Sequence, residues 1–252
     1  MSQGEAVSTV MIMQKEKYVP GHGAALLVNP DYAEVTPDWF LPAFWGTRAV
    51  SVSSGGRGSA WFIDGPRGGM VLRHYLRGGY VAKVSRAAYL YTGEEQTRSF
   101  AEFRLLSQLR DLDLPVPEPV AAHYRRVNGL FYEAAILIGR IEDVTPLGDC
   151  AGDLSEDGWR RLGQLLRQFH DAGVNHPDLN CFNILLQHQA FYVIDFDKGR
   201  IESNREPTAS WRKRNLERLY RSLAKLDVDS FDLRARWKAL EVGYARVPAT
   251  QQ

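Results

Sequence analysis

The chain has 252 residues, 24% of them charged, and a formal net charge of +1. This length suits one large domain or one two-lobed unit, and the near-zero charge gives no global signal for binding nucleic acid. Its two cysteines make no disulfide framework, and no run approaches the roughly 18 apolar residues that a membrane-spanning helix needs. A short apolar patch at residues 10–13 lacks the length and charge order of a secretory signal. We therefore expect a protein of the reducing cytoplasm that binds no nucleic acid.

The first half of the chain is predicted to be rich in β-strands. Residues 1–36 read as a lead-in, and Thr36-Pro37-Asp38 then marks a helix start, since proline suits the first helical position. From 49 to 75, short β-rich runs separated by glycine turns predict an antiparallel meander. A helix is predicted over 93–110, followed by a buried strand over 131–138.

The second half is predicted to be mostly helical. Residues 139–153 read as a loop joining two lobes, and an amphipathic helix follows the start signal at Ser155. Residues 182–195 predict a small hairpin, and two further helices are expected, over 210–226 and 231–244. The expected fold class is α+β, with three segments: a lead-in (1–36), a β-rich first lobe (37–138) and a helical second lobe (139–252).

The strongest chemical signal is Asp178, followed by Asn183 and then by Asp195 at the end of an apolar strand. Phosphoryl transfer needs a carboxylate that takes the proton of the attacking hydroxyl, and two hard oxygen ligands that hold Mg²⁺ against the phosphates. We assign Asp178 as the catalytic base, and Asn183 and Asp195 as metal ligands. Separately these residues would cap turns or end a strand; their combination in this order favours a kinase that uses ATP and Mg²⁺.

A glycine-rich segment precedes these motifs and is a candidate cover for the phosphates of ATP. Gly56 and Gly58 lie between two predicted strands, where backbone N–H groups can approach phosphate oxygens closely. The third glycine of a kinase loop is absent, because Trp61 lies where it would fall. An ordinary hairpin turn remains the alternative.

Phosphoryl transfer also needs a strand cation for the phosphates, paired with a glutamate on a helix. Arg73 follows Met70-Val71-Leu72 and lies in the better strand, whereas Lys83 follows a glycine turn. We favour Arg73 and keep Lys83 as the alternative. Glu102, on the predicted helix, is the expected partner of this cation.

A basic helix follows the predicted metal ligands. Arg212, Lys213 and Arg214 form its densest cluster of positive charge. A solvated face on a packed helix is the simpler interpretation, but such a face near an active site can also bind an anionic acceptor or rest on anionic lipid. We assign the three residues to acceptor binding.

Six segments, at 56–62, 72–75, 77–79, 115–119, 176–180 and 194–199, together resemble a known family. They are similar to the kinases of 3-deoxy-D-manno-octulosonic acid (Kdo) in lipopolysaccharide core assembly, within the protein-kinase-like superfamily. The resemblance extends from about residue 37 to residue 226. It implies a bilobal protein-kinase-like fold with the active site in the cleft. It matches Asp178 to the family's catalytic aspartate and Asp195 to its metal-binding aspartate.

The resemblance also implies a reaction and a location. ATP would phosphorylate the 4-hydroxyl of a Kdo sugar on a lipid A precursor, and the enzyme would lie peripherally on the anionic cytoplasmic face of the inner membrane. Pro177 and Asp197 stand where protein kinases have an arginine and a glycine, and the stretch from Asp195 to Trp211 is short. The missing arginine and the short stretch favour a sugar acceptor over a protein substrate, with no control by phosphorylation of an activation loop.

Two alternatives stay open at this point. The first is another sugar or small-molecule kinase, of the heptose kinase or antibiotic phosphotransferase type. The second is a non-catalytic pseudokinase that binds lipopolysaccharide precursors, and the presence of Asp178, Asn183 and Asp195 together argues against it.

Overall fold

A computed structural model of the chain describes residues 16–52, 60–75, 89–127, 129–226 and 232–245. Within these residues, one antiparallel sheet dominates the first half and helices dominate the second. The sheet has the strand order β1-β2-β7-β8-β5-β4-β3, with β6 paired to β8. Its strands are β1 (Lys17–Gly21), β2 (Ala24–Val28), β3 (Ala49–Ser51), β4 (Ala60–Gly65), β5 (Gly68–His74), β6 (Tyr89–Leu90), β7 (Pro119–Arg126) and β8 (Phe131–Gly139).

The sheet begins earlier in the chain than expected. β1 and β2 lie inside the segment 1–36 that was predicted as a lead-in, and β2 pairs with β7 across 24–28 and 121–125. Leu26, Leu27 and Val28 are buried, so this short apolar run belongs to the core. β7 was not predicted either, because its Pro-Val-Ala-Ala start has weak strand propensity and only its place between β2 and β8 makes it a strand.

Each face of the sheet carries its own apolar layer. α2 (Arg98–Asp111) covers one face, and its predicted apolar stripe is confirmed, since Phe100, Phe103, Leu106 and Leu109 are all buried. The opposite face is covered by Trp39, Phe40 and Trp45 from a 3₁₀-helix (Pro37–Phe40) and α1 (Pro42–Trp45). The helix start at Thr36 is therefore in the predicted place, although its first turn is 3₁₀.

The helical half contains α3 (Leu147–Cys150), α4 (Glu156–Asp171), α5 (Ser210–Leu223) and α6 (Leu233–Ala245). Ser155 caps α4 as predicted, because its hydroxyl accepts a hydrogen bond from the Gly158 N–H at 3.1 Å. α4 and α6 cross where Gly163 meets Leu240 and Gly243 meets Arg160, so close that a Cβ on either glycine would collide with the facing backbone. The predicted linker 139–153 in fact contains β9 (Thr145–Pro146) and α3.

Short strands in this half frame one loop. α4 ends at Asp171, and Gly173, with φ +85°, turns the chain into β10 (Val174–Asn175). The predicted hairpin is present as β11 (Ile184–Gln187) and β12 (Ala190–Val193), and β13 (Arg200–Ile201) pairs back to β10. The 176–183 loop, which holds the strongest sequence motif, therefore runs from β10 to β11.

Candidate active site

The register of the β11–β12 hairpin brings the two predicted metal ligands together. Ile184 pairs with Val193, and the Ile194 N–H donates to the Asn183 carbonyl at 3.0 Å. Asn183 therefore enters the hairpin beside the point where Asp195 leaves it. Asn183 and Asp195 are twelve positions apart in sequence. They become neighbours because they flank two paired antiparallel strands at the end opposite the turn.

The 176–183 loop is held in shape by its own asparagines. Asn180 Nδ2 and Asn183 Nδ2 donate to the Asp178 carbonyl at 3.0 and 3.1 Å. With its amide nitrogen used in this way, Asn183 presents its Oδ1 as the free end of the side chain. The Asp178 carboxylate remains 41% exposed, which leaves it accessible to a substrate.

Arg73 reaches Asp195 from the sheet. It lies on β5 between β4 and β8, and its guanidinium forms ion pairs with both Glu102 of α2 and Asp195. The Glu102 side chain is 1% exposed and also accepts a hydrogen bond from the Tyr75 hydroxyl at 2.5 Å. The structure therefore places Arg73 against Glu102, as expected from the sequence, and adds Asp195 as a second partner that was not foreseen.

The charged forms of Arg73 and Asp195 are stabilised by the ion pairs that Arg73 makes with Asp195 and Glu102. Burial works against the charge on Arg73, but Glu102 and Asp195 outweigh it and hold the pKa of the guanidinium well above its ordinary value. Burial alone would raise the pKa of Asp195, but the Arg73 cation outweighs it and lowers that pKa. Asp195 is therefore an ionised carboxylate at neutral pH, as a metal ligand has to be.

Three consecutive residues, 195–197, tie both halves of the molecule together. Asp195 has φ +65°, a left-handed conformation that is rare outside glycine, and it contacts Arg73. Phe196 is buried and stacks on Phe169 of α4. Asp197 accepts a two-pronged ion pair from Arg98 at the start of α2, with Nε to Oδ1 at 2.6 Å. The 195–197 segment is thus fixed from the sheet, from α2 and from the helical core.

One face of α5 supports the 176–183 loop. Asn215 Oδ1 accepts from the His176 N–H at 3.0 Å, Arg218 Nη2 donates to Asp178 Oδ1 at 2.7 Å, and Ser222 Oγ accepts from the Cys181 N–H at 2.9 Å. These three residues recur at helical spacing and so share a face. Sequence reasoning did not assign them. The available signal was the polar Asn215 and Ser222 beside the apolar Leu219 and Leu223 of the same helix.

The predicted acceptor residues on α5 do not share one surface. Arg212 is buried, and its guanidinium is bound by Asp171 at 2.8 Å and by the Arg205 carbonyl, so it joins the start of α5 to the end of α4. Lys213 is exposed and lies 3.7 Å from Glu217, on the side of the helix away from Arg218. Arg214 is also exposed and lies one turn before Arg218. A role in acceptor binding stays a prediction for Lys213 and Arg214, whereas Arg212 is occupied within the fold.

Three predicted nucleotide contacts lie outside the described residues. Gly56 and Gly58 fall in 53–59, and Lys83 falls in 76–88. Their roles stay predictions, and so does the choice between Arg73 and Lys83 as the phosphate cation.

The two histidines near the site are buried and structural. His176 Nε2 lies 3.0 Å from the Ile194 carbonyl and so braces the 176–183 loop against the end of the hairpin. Burial lowers the pKa of His176, and it lowers that of His170 to about 3, so both rings are neutral at physiological pH. His176 therefore holds the loop through a neutral hydrogen bond. The charged contacts at the site are those of Asp178 with Arg218 and of Asp195 with Arg73.

The donor set fits Mg²⁺. Mg²⁺ takes oxygen ligands and is usually bound through one or two carboxylates together with substrate phosphates. Asn183 and Asp195 flank the same end of the β11–β12 hairpin and offer one amide oxygen and one carboxylate, and only Oδ1 of Asp195 is taken by Arg73 among the described residues. No cluster of three His, Cys, Asp or Glu side chains occurs in the part of the chain that the structure describes. Waters and phosphate oxygens would complete the coordination of a Mg²⁺ ion bound by Asn183 and Asp195.

Comparison with known proteins adds a family to this geometry. The model of the lipopolysaccharide kinase (Kdo/WaaP) family matches residues 42–244. A Stenotrophomonas maltophilia protein named 3-deoxy-D-manno-octulosonic acid kinase is 51% identical over 208 residues, 82% of each chain. A Xanthomonas oryzae protein of the same name is 47% identical over 236 residues, covering 90% of this chain and 92% of the relative.

A solved structure shares the fold. WaaP, in a complex with acyl carrier protein, superposes with a TM-score of 0.55 at 14% sequence identity, covering 88% of this chain and 89% of that one. The α+β, kinase-like architecture predicted from the sequence is confirmed by this match and by the order of sheet and helices.

Proposed function

The chain belongs to the lipopolysaccharide kinase (Kdo/WaaP) family, and from that premise we propose that it transfers the γ-phosphoryl group of ATP to the 4-hydroxyl of a Kdo sugar on a lipid A precursor. The relatives that carry the name 3-deoxy-D-manno-octulosonic acid kinase cover almost the whole chain, and this supports Kdo as the acceptor. The reaction is a step of lipopolysaccharide biosynthesis.

The observation that carries the proposal is the meeting of Asp178, Asn183 and Asp195 around one loop and one hairpin end. An acceptor hydroxyl at the exposed Asp178 carboxylate would lie beside the oxygen ligands that hold the phosphates. Positioning and electrostatic stabilisation are what phosphoryl transfer mainly requires of a protein.

The chain's own groups have separate tasks in this reaction. Asp178 accepts the proton of the sugar 4-hydroxyl while the oxygen of that hydroxyl forms a bond to the γ-phosphorus of ATP. The bond from the γ-phosphorus to the β,γ-bridging oxygen breaks, and ADP leaves. Asn180 and Asn183 hold Asp178 in place through its carbonyl. Mg²⁺, when bound by Asn183 and Asp195, would neutralise charge on the phosphates.

Arg73 is the group best placed to meet the α- and β-phosphates. Its ion pair with Asp195 holds the guanidinium beside the proposed metal ligand, and the Arg73 side chain is 21% exposed. Gly56 and Gly58, in the segment of sequence between β3 and β4, are proposed to cover the phosphates, and Lys83 is the alternative cation.

The acceptor is a lipid, and we place the enzyme peripherally on the anionic cytoplasmic face of the inner membrane. Among the described residues no helix is long and apolar enough to cross a bilayer. Lys213 and Arg214 on α5 are exposed cations that would favour an anionic surface. Neither a nucleic acid nor a protein substrate is part of the proposal.

Mass spectrometry of a Kdo–lipid A precursor after incubation with enzyme, ATP and Mg²⁺ tests the proposed function. The expected product is heavier by one phosphoryl group, located on the 4-hydroxyl by fragmentation. Asp178→Asn should lower turnover by roughly 100- to 10,000-fold, because it removes the positioned base. The variant should fold and bind ATP normally, since Asp178 acts on the acceptor.

Two results would contradict the proposal. One is the absence of product with Kdo acceptors alongside product with heptose-bearing acceptors, which would assign the enzyme to another sugar. The other is near-normal turnover by a folded Asp178→Asn variant, which would remove Asp178 from the mechanism.

A further inference from the structure

Arg218 of α5 contacts the carboxylate of Asp178, the proposed catalytic base. Its Nη2 donates to Asp178 Oδ1 at 2.7 Å, and the two side chains are 37% and 41% exposed. Asp178 is the one hydrogen-bond partner of this guanidinium among the described residues. An arginine has five N–H donors in a planar fork, so most of them remain available on the open side of the pair.

The chemistry of the acceptor makes this position significant. In a 3-deoxy-octulosonic acid, C1 is the carboxylate, C2 carries it, and C3 lacks a hydroxyl, so the 4-hydroxyl is two ring carbons from the carboxylate-bearing carbon. With C–C bonds of about 1.5 Å, the carboxylate lies within about 5 Å of the 4-hydroxyl. When that hydroxyl meets Asp178, the acceptor's negative charge is brought close to the negative charge of the base.

Two like charges at this separation repel each other, and both favour a cation placed next to them. Arg218 already contacts one of them. A guanidinium fork also matches carboxylate geometry, which a lysine ammonium does not. Building on the proposed function, we propose that Arg218 binds the acceptor carboxylate and shields it from Asp178, so that it selects sugars whose phosphorylated hydroxyl lies beside an acid.

Among the described residues, Arg218 is the cation of α5 that contacts the 176–183 loop, whereas Arg214, exposed one turn before it, donates to Ser210. Arg212 is buried against Asp171, and Lys213 lies on the side of the helix away from Arg218. Arg221 is exposed one turn further along and lies 3.9 Å from Glu217. It has the same side chain on the same helix without a contact to the 176–183 loop, which makes it a matched control.

The test compares two acceptors with four forms of the enzyme. The acceptors are a Kdo–lipid A precursor with a free carboxylate and the same lipid with that carboxylate as its methyl ester. The enzymes are the unmodified protein, Arg218→Ala, Arg218→Lys and Arg221→Ala, each with thermal unfolding measured first. At saturating ATP, kcat/KM is measured for each pair, and the ratio of acid to ester is the readout.

We expect the unmodified enzyme to prefer the acid by roughly 10- to 100-fold, as for a hydrogen-bonded charge. Arg218→Ala should bring the ratio close to one, Arg218→Lys should keep part of the preference, and Arg221→Ala should keep all of it. The KM for ATP should not change in any of them.

A structural role for Arg218, holding Asp178 only, gives a different pattern. In that case Arg218→Ala would lower kcat equally for both acceptors and leave the ratio unchanged, and this outcome overturns the inference. So does an unmodified enzyme that uses acid and ester equally. If the unmodified enzyme phosphorylates neither acceptor, the proposed function itself fails, and the inference fails with it.

Discussion

Two arginines reach the site from opposite sides, Arg73 from the sheet and Arg218 from α5, and their surroundings differ. Arg73 is mostly buried and paired with two carboxylates, one of which, Glu102, is fully enclosed. Arg218 is more than a third exposed and contacts one carboxylate, that of Asp178. The first arginine is neutralised by the fold itself, and the second retains unused donors at the surface of the cleft.

The difference separates what each side of the site can contribute. On the sheet side, Arg73 forms ion pairs with both Glu102 and Asp195. Removing one of these residues leaves the charge of its partner uncompensated. On the α5 side, the ion pair is solvated and contributes little to stability. In the proposed reaction, the sheet side would set the geometry of the nucleotide end, while the α5 side would be free to respond to the acceptor.

The largest effect should come from Arg73. We expect Arg73→Ala to lower the free energy of unfolding by about 3–5 kcal/mol, because Glu102 becomes a buried charge without its counter-ion. Arg218→Ala should change it by no more than about 1 kcal/mol. Denaturant unfolding of both variants measures the contrast. Arg73→Ala should also raise the KM for ATP far more than Lys83→Ala does.

Controls make this result specific to the ion pair. Adding Glu102→Gln to Arg73→Ala should recover part of the lost stability, since the uncompensated charge is removed. Arg73→Lys preserves a positive charge if the alanine variant proves too unstable for kinetics. Equal destabilisation by Arg73→Ala and Arg218→Ala would abolish the proposed contrast, and a larger ATP effect at Lys83 would move the phosphate contact there.

An intermediate effect is expected at Asn215, which is buried although it lies on the α5 side. It links the His176 N–H to Asn175 Oδ1, with its Nδ2 donating at 2.9 Å. Asn215→Ala leaves both groups without a partner and should cost about 1–3 kcal/mol of stability. Because it loosens the 176–183 loop, it should also lower kcat while leaving the KM for ATP unchanged.

Asn215→Asp serves as the control, since it keeps an acceptor for the His176 N–H but places a buried carboxylate against Asn175 Oδ1. Its stability loss should match or exceed that of the alanine variant, whereas its kcat should fall less because the hydrogen bond to the loop is kept. Unchanged kcat in a destabilised Asn215→Ala protein would mean that α5 stabilises the fold without positioning the loop.

The smallest effect should follow from neutralising the exposed cations of α5. Each basic residue near an anionic lipid surface contributes about 1 kcal/mol, or about fivefold in apparent affinity. Lys213→Ala and Arg214→Ala should each raise the KM for the lipid acceptor by that order and flatten its dependence on salt. The KM for ATP should stay the same. An equal change in both KM values would support a merely solvated helix face.

The sequence was most informative where chemistry and local periodicity coincide. Asp178, Asn183 and Asp195 were selected from their order along the chain, and α2 and α4 from their apolar stripes and the Ser155 cap. An apolar stripe or a helix cap lies within one element, and the Asp178, Asn183 and Asp195 motif lies within a short stretch of sequence. No knowledge of the tertiary structure is needed to recognise them.

Features that depend on distant partners were missed. β2 and β7 become strands because each supplies the other's hydrogen bonds, and α3 sits in a segment that reads as a linker. Arg212 reads as a surface cation in the sequence, yet Asp171 at the end of α4 neutralises it inside the fold. Arg218 could not be distinguished from its basic neighbours until α5 was docked against Asp178.

The support that α5 gives to the 176–183 loop has a consequence for the order of synthesis. The three contacts span 39, 40 and 41 residues of sequence. The complete Asp178, Asn183 and Asp195 motif is therefore synthesised before Asn215, Arg218 and Ser222. Until α5 docks, water is the hydrogen-bond partner of the loop groups that α5 later contacts. Asp178, Asn183 and Asp195 are then present in the nascent chain, but the loop lacks the support that α5 gives it. Activity should therefore begin once α5, which contains none of those motifs, has been made and has docked.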